Sequence, residues 1–153
     1  MSRSGRDAAD KPDEMTPTRG ADLAGPDTDV FVVRAASTPE RFWSDSDRIR
    51  FLATTNETAG RYSFLVVDVP IGGGPPAHIH QESDEWFYVL QGNPVVHVGD
   101  RTFTLAEGDF VHIPMGTTHW FEVLDAPVRV LAGYCPAGVE LAFLQDRAGR
   151  HNQ

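Results

Sequence analysis

The stretch Gly72-Gly-Gly-Pro-Pro-Ala-His-Ile-His-Gln-Glu-Ser-Asp-Glu-Trp-Phe-Tyr-Val-Leu-Gln-Gly92 decides how this chain folds. Its triple glycine and paired proline cannot continue a β-ladder, so one strand must end before them. In an extended segment, residues two apart point to the same side, so His78 and His80 present their imidazoles together. Glu85 opens the next strand after a turn through residues 81–84. We therefore expect its carboxylate to return beside the two rings.

A second stretch, Gly108 to His119, adds a fourth group of the same kind. His119 follows the Pro114-Met115-Gly116 turn and begins another strand-like segment. Three imidazoles and one carboxylate make a mixed nitrogen and oxygen site. Such a site suits iron, manganese, cobalt, nickel, copper or zinc, and it leaves coordination positions open for a substrate. The sequence therefore predicts one divalent transition metal ion per chain.

The rest of the chain shows a β pattern from residue 30 onward. Gly99-Asp100 separates two alternating runs, which is a signal for a two-residue hairpin. Short segments without a long helical period predict an all-β protein, either closed or built from two sheets. Residues 138–147 are the exception and suit one short amphipathic helix. The predicted strands are residues 30–33, 48–54, 62–69, 86–90, 95–98, 102–105, 110–113, 120–123 and 128–134.

Both stretches carry complete motifs, and on these motifs the chain resembles the cupin superfamily. The first motif is Gly-x5-His-x-His-x4-Glu-x6-Gly, at Gly72, His78, His80, Glu85 and Gly92. The second is Gly-x5-Pro-x-Gly-x2-His, at Gly108, Pro114, Gly116 and His119. A looser resemblance extends over about residues 30–147.

The resemblance implies a double-stranded β-helix, also called a jelly-roll barrel, with a metal inside. His78, His80, Glu85 and His119 carry over as the metal ligands. The segment around the first motif looks most like small single-domain proteins grouped with quercetin 2,3-dioxygenase. In such enzymes dioxygen is a co-substrate and the ligand carboxylate can take a proton from the substrate hydroxyl, which would make Glu85 catalytic as well.

One position departs from the family pattern and concerns the substrate pocket. The second motif often ends in Asn four residues after its histidine, whereas this chain has Val123. This change makes one wall of the pocket apolar and touches no ligand. It weakens any analogy of substrate and leaves the expectation of metal binding intact.

Strand parity identifies further candidates for the substrate pocket. Phe87 and Val89 share the parity of Glu85, and Phe121 and Val123 share that of His119. As pocket walls they would favour an aromatic or otherwise apolar substrate, although plain core packing explains them equally well. His112 could be a hydrogen-bond donor behind the metal ligands or simply a partly exposed strand residue.

Composition excludes several classes of partner. A net charge of −9 over 153 residues argues against nucleic acid, because phosphate binding needs a basic face. The same charge disfavours an anionic membrane surface, and no apolar run is long enough to span a membrane. Residues near the start lack the apolar region of a secretory signal, and a single cysteine excludes an internal disulfide. We therefore expect a cytoplasmic protein.

Three parts of the chain are expected to behave differently. Residues 1–28 are rich in Asp, Arg, Gly, Pro and Ala, which predicts a flexible N-terminal arm. Residues 29–147 form the single barrel domain, without an internal repeat, and residues 148–153 form a C-terminal tail. Open sheet edges and apolar outer faces suggest a homodimer, with residues 30–33 added to the partner's sheet.

Three functions fit this sequence. The first is a metal-dependent dioxygenase that acts on a small phenolic or enol-type molecule. The second is a non-redox enzyme, such as a cyclase, isomerase, dehydratase or decarboxylase, in which the metal acts as a Lewis acid. The third is a module that binds a small ligand without turnover. Fold alone cannot separate the three functions, because one barrel hosts many reactions.

Overall fold

The computed structural model describes residues 30–35, 41–42 and 47–145. In these ranges the chain forms nine strands and two short helices. The strands are β1 (Arg41–Phe42), β2 (Arg48–Ala53), β3 (Ser63–Val69), β4 (Asp84–Gln91), β5 (Val95–Val98), β6 (Arg101–Thr104), β7 (Phe110–Ile113), β8 (His119–Glu122) and β9 (Val128–Cys135). The helices are α1 (Thr55–Thr58) and α2 (Glu140–Gln145).

The strands form two antiparallel sheets around one core. The larger sheet has the order β1-β2-β3-β9-β4-β7, and the smaller has the order β6-β5-β8. β9, the last strand in the described chain, therefore lies between β3 and β4 in the middle of the larger sheet. Two antiparallel sheets that share one core, followed by a short helix, confirm the predicted jelly-roll fold.

The core follows from alternation along the strands. In β4 the side chains of Glu85, Phe87 and Val89 are buried, and Tyr88 between them is exposed. The buried cluster joins residues of both sheets, such as Val89 on β4 and Val96 on β5. Complete burial of one such aliphatic or aromatic side chain contributes about 1.5–3 kcal/mol. Period-two patterning therefore determines which face of each strand turns inward.

The outer face of the larger sheet carries aromatic residues. The ring of Trp86 packs against Phe64, with 4.9 Å between the ring centroids. The indole also lies directly over Gly133, where an added Cβ would come within 2.0 Å of Trp86. Only glycine at position 133 leaves room for this contact.

Two segments differ from their predicted structure. Residues 30–33 are not a strand; Val30 and Val32 are exposed and the backbone pairs with no described strand. β1, at Arg41–Phe42, occupies the sheet edge instead by pairing with β2. The predicted turn at residues 55–60 contains α1, where the carboxylate of Glu57 accepts a 2.9 Å hydrogen bond from the backbone N–H of Thr54. This hydrogen bond caps the start of α1, and turn-forming residues in the sequence do not by themselves predict such a helix.

A buried carboxylate fastens α2 to the barrel. Glu140 is fully buried and accepts hydrogen bonds from the backbone N–H of Thr55 at 2.6 Å and from its hydroxyl at 2.5 Å. Its other oxygen accepts from the N–H of Gly138 at 2.8 Å. Because these donors belong to α1 and to the segment before α2, a single side chain joins the two helices.

Some predictions concern residues outside those described. The flexible arm at residues 1–28 and the tail at residues 148–153 lie there, and the division of the chain into arm, barrel and tail stays a prediction. Homodimer formation and the cytoplasmic location stay predictions as well. Within the described ranges, no helix is long and apolar enough to cross a membrane.

Candidate metal centre

His78 and His119 are brought together by their own backbones. The N–H of each residue donates to the carbonyl of the other, at 3.0 and 2.9 Å, in an isolated antiparallel bridge. Nδ1 of His78 lies 2.8 Å from the carbonyl oxygen of Pro76, and Nδ1 of His119 lies 2.9 Å from that of Thr117. Because a carbonyl only accepts, both Nδ1 atoms must donate, which leaves each Nε2 to bind another group.

Glu85, on β4, and His80, which precedes β4, lie beside His78 and His119. One carboxylate oxygen, Oε2, lies 2.7 Å from Nε2 of His119 and 3.0 Å from Nε2 of His80. The centroids of the His78 and His119 rings are 4.3 Å apart, and those of His78 and His80 are 4.8 Å apart. Glu85 and His119 are buried, whereas His78 and His80 are half-buried. The structure thus gathers all four residues that the two motifs singled out.

This donor set fits a transition metal ion. One ligand atom from each of His78, His80, Glu85 and His119 can be chosen so that all four lie within 4.8 Å of one another. Ligand bonds of about 2.0–2.2 Å, as imidazole and carboxylate make to zinc, place ligand atoms at separations of this order. A cation between Nε2 of His119 and the Glu85 carboxylate would replace the proton that these two atoms share. The four residues therefore have the chemistry and the spacing of a metal centre.

The charges at the centre depend on the proximity of these groups. Burial alone would raise the pKa of Glu85, but hydrogen bonds from His119 and His80, together with their charges, lower it to about 2. Burial alone would lower the pKa of His119, but the Glu85 carboxylate and the Thr117 carbonyl raise it above its ordinary value. Burial lowers the pKa of His78. Glu85 is thus ionised at neutral pH, the state in which a carboxylate binds a metal.

An apolar cavity opens beside the centre. Its volume is about 420 Å³, and His78, His80 and Glu85 form part of its wall. This volume is in the range of about 300–1,000 Å³ that is usual for small-molecule sites. Apolar side chains from both sheets and from α2 form most of the remaining wall, including Ile49, Val67, Phe87, Phe121, Val139 and Phe143.

Only some of the predicted pocket residues line the cavity. Phe87 and Phe121 line the cavity and contact each other edge to face, with centroids 5.6 Å apart. Val89 and Val123 face inward, as their parity predicts, but they are almost completely buried in the core and are not part of the cavity wall. Val123 therefore packs against other core side chains and does not form the apolar pocket wall that the sequence predicts at this position.

His112 does not belong to the pocket, which corrects one prediction. It pairs with Trp86 across β4 and β7, and both side chains point away from the core. About half of the His112 side chain is exposed, and Nε2 lies 3.5 Å from a carboxylate oxygen of Asp84. Parity relative to Glu85 could be assigned only once the register between β4 and β7 was known.

Two polar residues of the cavity wall were not predicted. Asp47 precedes β2 and is buried there, although nothing in its local sequence indicates this position. Tyr134 pairs with Glu85 across β9 and β4, so its side chain projects to the same face of the sheet as the Glu85 carboxylate. Burial and this carboxylate raise the pKa of Tyr134 well above 10, so the phenol stays protonated. The shared parity of residues 128, 130, 132 and 134 was the available signal for Tyr134.

Fold and site together define a jelly-roll barrel with an internal cluster of side chains that could hold a metal ion. The family model described as "Cupin domain" matches residues 65–134. A solved RmlC-like cupin from Shewanella frigidimarina superposes with a TM-score of 0.65 at 16% identity, over 74% of this chain and 96% of that one. The chain therefore contains a cupin domain.

Curated relatives with assigned activities are similar over only part of their length. Quercetin 2,3-dioxygenase from Bacillus subtilis is 28% identical over 137 residues, which are 87% of this chain and 40% of that protein. Acireductone dioxygenase from Gluconacetobacter diazotrophicus is 34% identical over 100 residues, which are 63% of this chain and 45% of that protein. The chain thus spans less than half the length of either enzyme.

Proposed function

We propose that this protein is a metal-dependent dioxygenase that acts on a small phenolic or enol-type molecule. His78, His80, Glu85 and His119 would hold one divalent transition metal ion. One observation carries the proposal: the ionised carboxylate of Glu85 meets three imidazoles at the wall of a mainly apolar cavity. Such an arrangement joins a site for chemistry to a space for an organic substrate.

The fixed histidines support the ligand roles. His78 and His119 each donate through Nδ1 to a backbone carbonyl, so their Nε2 atoms are oriented before any ligand arrives. A bound divalent ion would polarise a substrate oxygen and lower the pKa of its hydroxyl. Glu85 then has two roles in this proposal, as a ligand and as the base that accepts the hydroxyl proton.

The properties of Glu85 and the cavity favour a particular substrate class. A carboxylate is a weak base, so it accepts a proton readily only from a hydroxyl that is already acidic. Phenols and enols meet this requirement far better than alkyl alcohols do. Phe87 and Phe121 add aromatic surface to the wall, against which a planar apolar substrate can pack.

The relatives support oxygen chemistry in particular. Two of the curated proteins that the chain resembles are named dioxygenases, and the matched regions cover 87% and 63% of this chain. Each is longer than this chain, so their substrates are starting points for an assay. The choice of a flavonol and an acireductone as first substrates follows from those two names.

Oxygen consumption tests the proposal directly. Full-length protein is stripped of metal, reloaded separately with Fe(II), Ni(II) or Mn(II), and supplied with a flavonol or an acireductone in an oxygen electrode. We expect substrate-dependent oxygen uptake with at least one metal, and incorporation of both atoms of labelled dioxygen into products. His119→Ala should lose metal and uptake together, because Nε2 of His119 is among the candidate ligand atoms.

A matched control and two contrary outcomes complete this experiment. His112→Ala removes an exposed histidine outside the centre and should leave metal content and uptake unchanged. Equal turnover under anaerobic conditions would eliminate the dioxygenase and favour a non-redox cupin enzyme. Retention of metal by His119→Ala would contradict the ligand assignment.

A further inference from the structure

Tyr134 lies beside the candidate centre and belongs to neither motif. We propose that Tyr134 is a positioning residue, whose hydroxyl and ring hold Glu85 and His80 in the arrangement that binds metal. This inference rests on the metal centre proposed above. It adds a fifth side chain on a strand remote in sequence from both motifs.

The backbone of Tyr134 is held on both sides. Its strand, β9, lies between β3 and β4, where Tyr134 pairs with Ser63 on one side and with Glu85 on the other. Directly paired residues in adjacent strands project to the same face of a sheet, with Cβ atoms about 4.5–5.5 Å apart. Tyr134 therefore cannot move relative to Glu85 without breaking the central ladder of the larger sheet.

The side chain of Tyr134 contacts two of the four candidate ligands. Burial, and after it the Glu85 carboxylate, raise the pKa of its hydroxyl. The Tyr134 ring meets the His80 ring edge to face, with centroids 5.4 Å apart and planes at 85°. The side chain is buried, so water does not compete freely for the carboxylate. A carboxylate offers about four acceptor positions, so it can accept from a phenol and still bind a metal.

Loss of this hydroxyl has a specific consequence for metal binding. In this proposal the phenol donates to the Glu85 carboxylate. Without that donor, the carboxylate loses one of the contacts that fix its rotation, and its second oxygen can turn toward the cation. Removal of an outer partner of a metal ligand typically weakens metal binding by about 10–100-fold. If Tyr134 only filled space in the core, its hydroxyl would matter to unfolding and not to the cation.

Cobalt binding by Tyr134→Phe separates the two possibilities, since phenylalanine keeps the ring and removes only the donor. Full-length, metal-free protein is titrated with Co(II), and the d–d absorption bands report the coordination geometry. We expect about 10–100-fold weaker Co(II) affinity and an altered d–d spectrum in Tyr134→Phe. Tyr134→Met, which fills the space without a ring or a donor, should weaken the affinity at least as much.

The control and the contrary outcomes are equally specific. Tyr62→Phe removes the hydroxyl of a tyrosine that packs on Phe64 outside the centre, and it should match the wild type in affinity and spectrum. Co(II) affinity within twofold of wild type in Tyr134→Phe, with an unchanged spectrum, overturns the role of Tyr134 alone. Failure of wild-type protein to bind Co(II) overturns the metal centre and this inference with it.

Discussion

Glu85 and Glu140 are both buried carboxylates with a lowered pKa, yet they serve different ends. Glu85 accepts from the side chains of His80 and His119 beside a cavity. Glu140 accepts from the backbone N–H groups of Thr55 and Gly138 and from one hydroxyl, where α1 meets α2.

The contrast lies in whether the partners can be exchanged. Backbone donors and a threonine hydroxyl have no alternative protonation state near neutral pH, so the hydrogen bonds of Glu140 serve only to hold α1 and α2 together. Imidazole nitrogens can release their protons and bind a cation in their place. A buried carboxylate among imidazoles is therefore a candidate for chemistry, whereas one among backbone amides holds the fold.

The largest expected effect follows from Glu85→Gln. The amide has no negative charge and only one acceptor oxygen, and both changes weaken the binding of a divalent ion. We therefore expect metal affinity to fall by more than about 100-fold, which exceeds the usual effect of losing a residue that only hydrogen-bonds to a metal ligand. Elemental analysis and metal titration of the purified variant measure this loss. Glu122→Gln, at an exposed carboxylate that contacts His97, is the control and should bind metal normally. Normal metal content in Glu85→Gln would erase the contrast between the two carboxylates.

A smaller effect, on folding alone, is expected for Glu140→Ala. The substitution leaves the donors of Thr55 and Gly138 without their acceptor, and an unsatisfied buried donor costs about 1–3 kcal/mol. We expect a loss of about 2 kcal/mol in the free energy of unfolding, measured by urea denaturation. Metal affinity per folded molecule should remain within a few-fold of wild type. A large loss of metal affinity would show that the hydrogen bonds of Glu140 also affect the geometry of the metal centre.

The smallest expected effect is on the pH dependence of the contribution that Glu140 makes to the free energy of unfolding. Burial alone would raise the pKa of Glu140, but hydrogen bonds from Thr55 and Gly138 lower it below the ordinary value of 4.5. The ionised form is therefore the one that the fold favours, and its contribution is complete above pH 4.5. It is lost progressively as the pH falls from 4.5 through the lower pKa of the folded state.

Glu140→Gln makes this dependence measurable. The difference in unfolding free energy between wild type and Glu140→Gln should be largest above pH 4.5 and should shrink at more acidic pH. Parallel urea denaturations at several pH values provide the comparison. A difference that stays constant below pH 4.5 would mean that the charge of Glu140 contributes nothing to stability. Among the described residues, Tyr134 and Glu57 also interact electrostatically with Glu140.

Local pattern predicted the strands near the motifs well. The alternation in β4 places Glu85 and Phe87 inward and Tyr88 outward, as expected, because period two is a property of any extended chain. The β5 and β7 segments begin and end where the sequence predicts. The strand predicted at residues 30–33 was wrong, because an apolar, β-branched run forms a strand only where a neighbouring strand pairs with it.

The motif spacings by themselves determined that His78, His80, Glu85 and His119 would be candidates for one metal centre. The tertiary structure decided what surrounds them. Register between β4 and its neighbours placed Tyr134 beside Glu85 and turned His112 outward. Packing of α2 and of the residue before it against the barrel added Phe143 and Val139 to the cavity wall. Spacing within a strand determines direction over a few residues, whereas contacts between remote strands depend on how the whole sheet pairs.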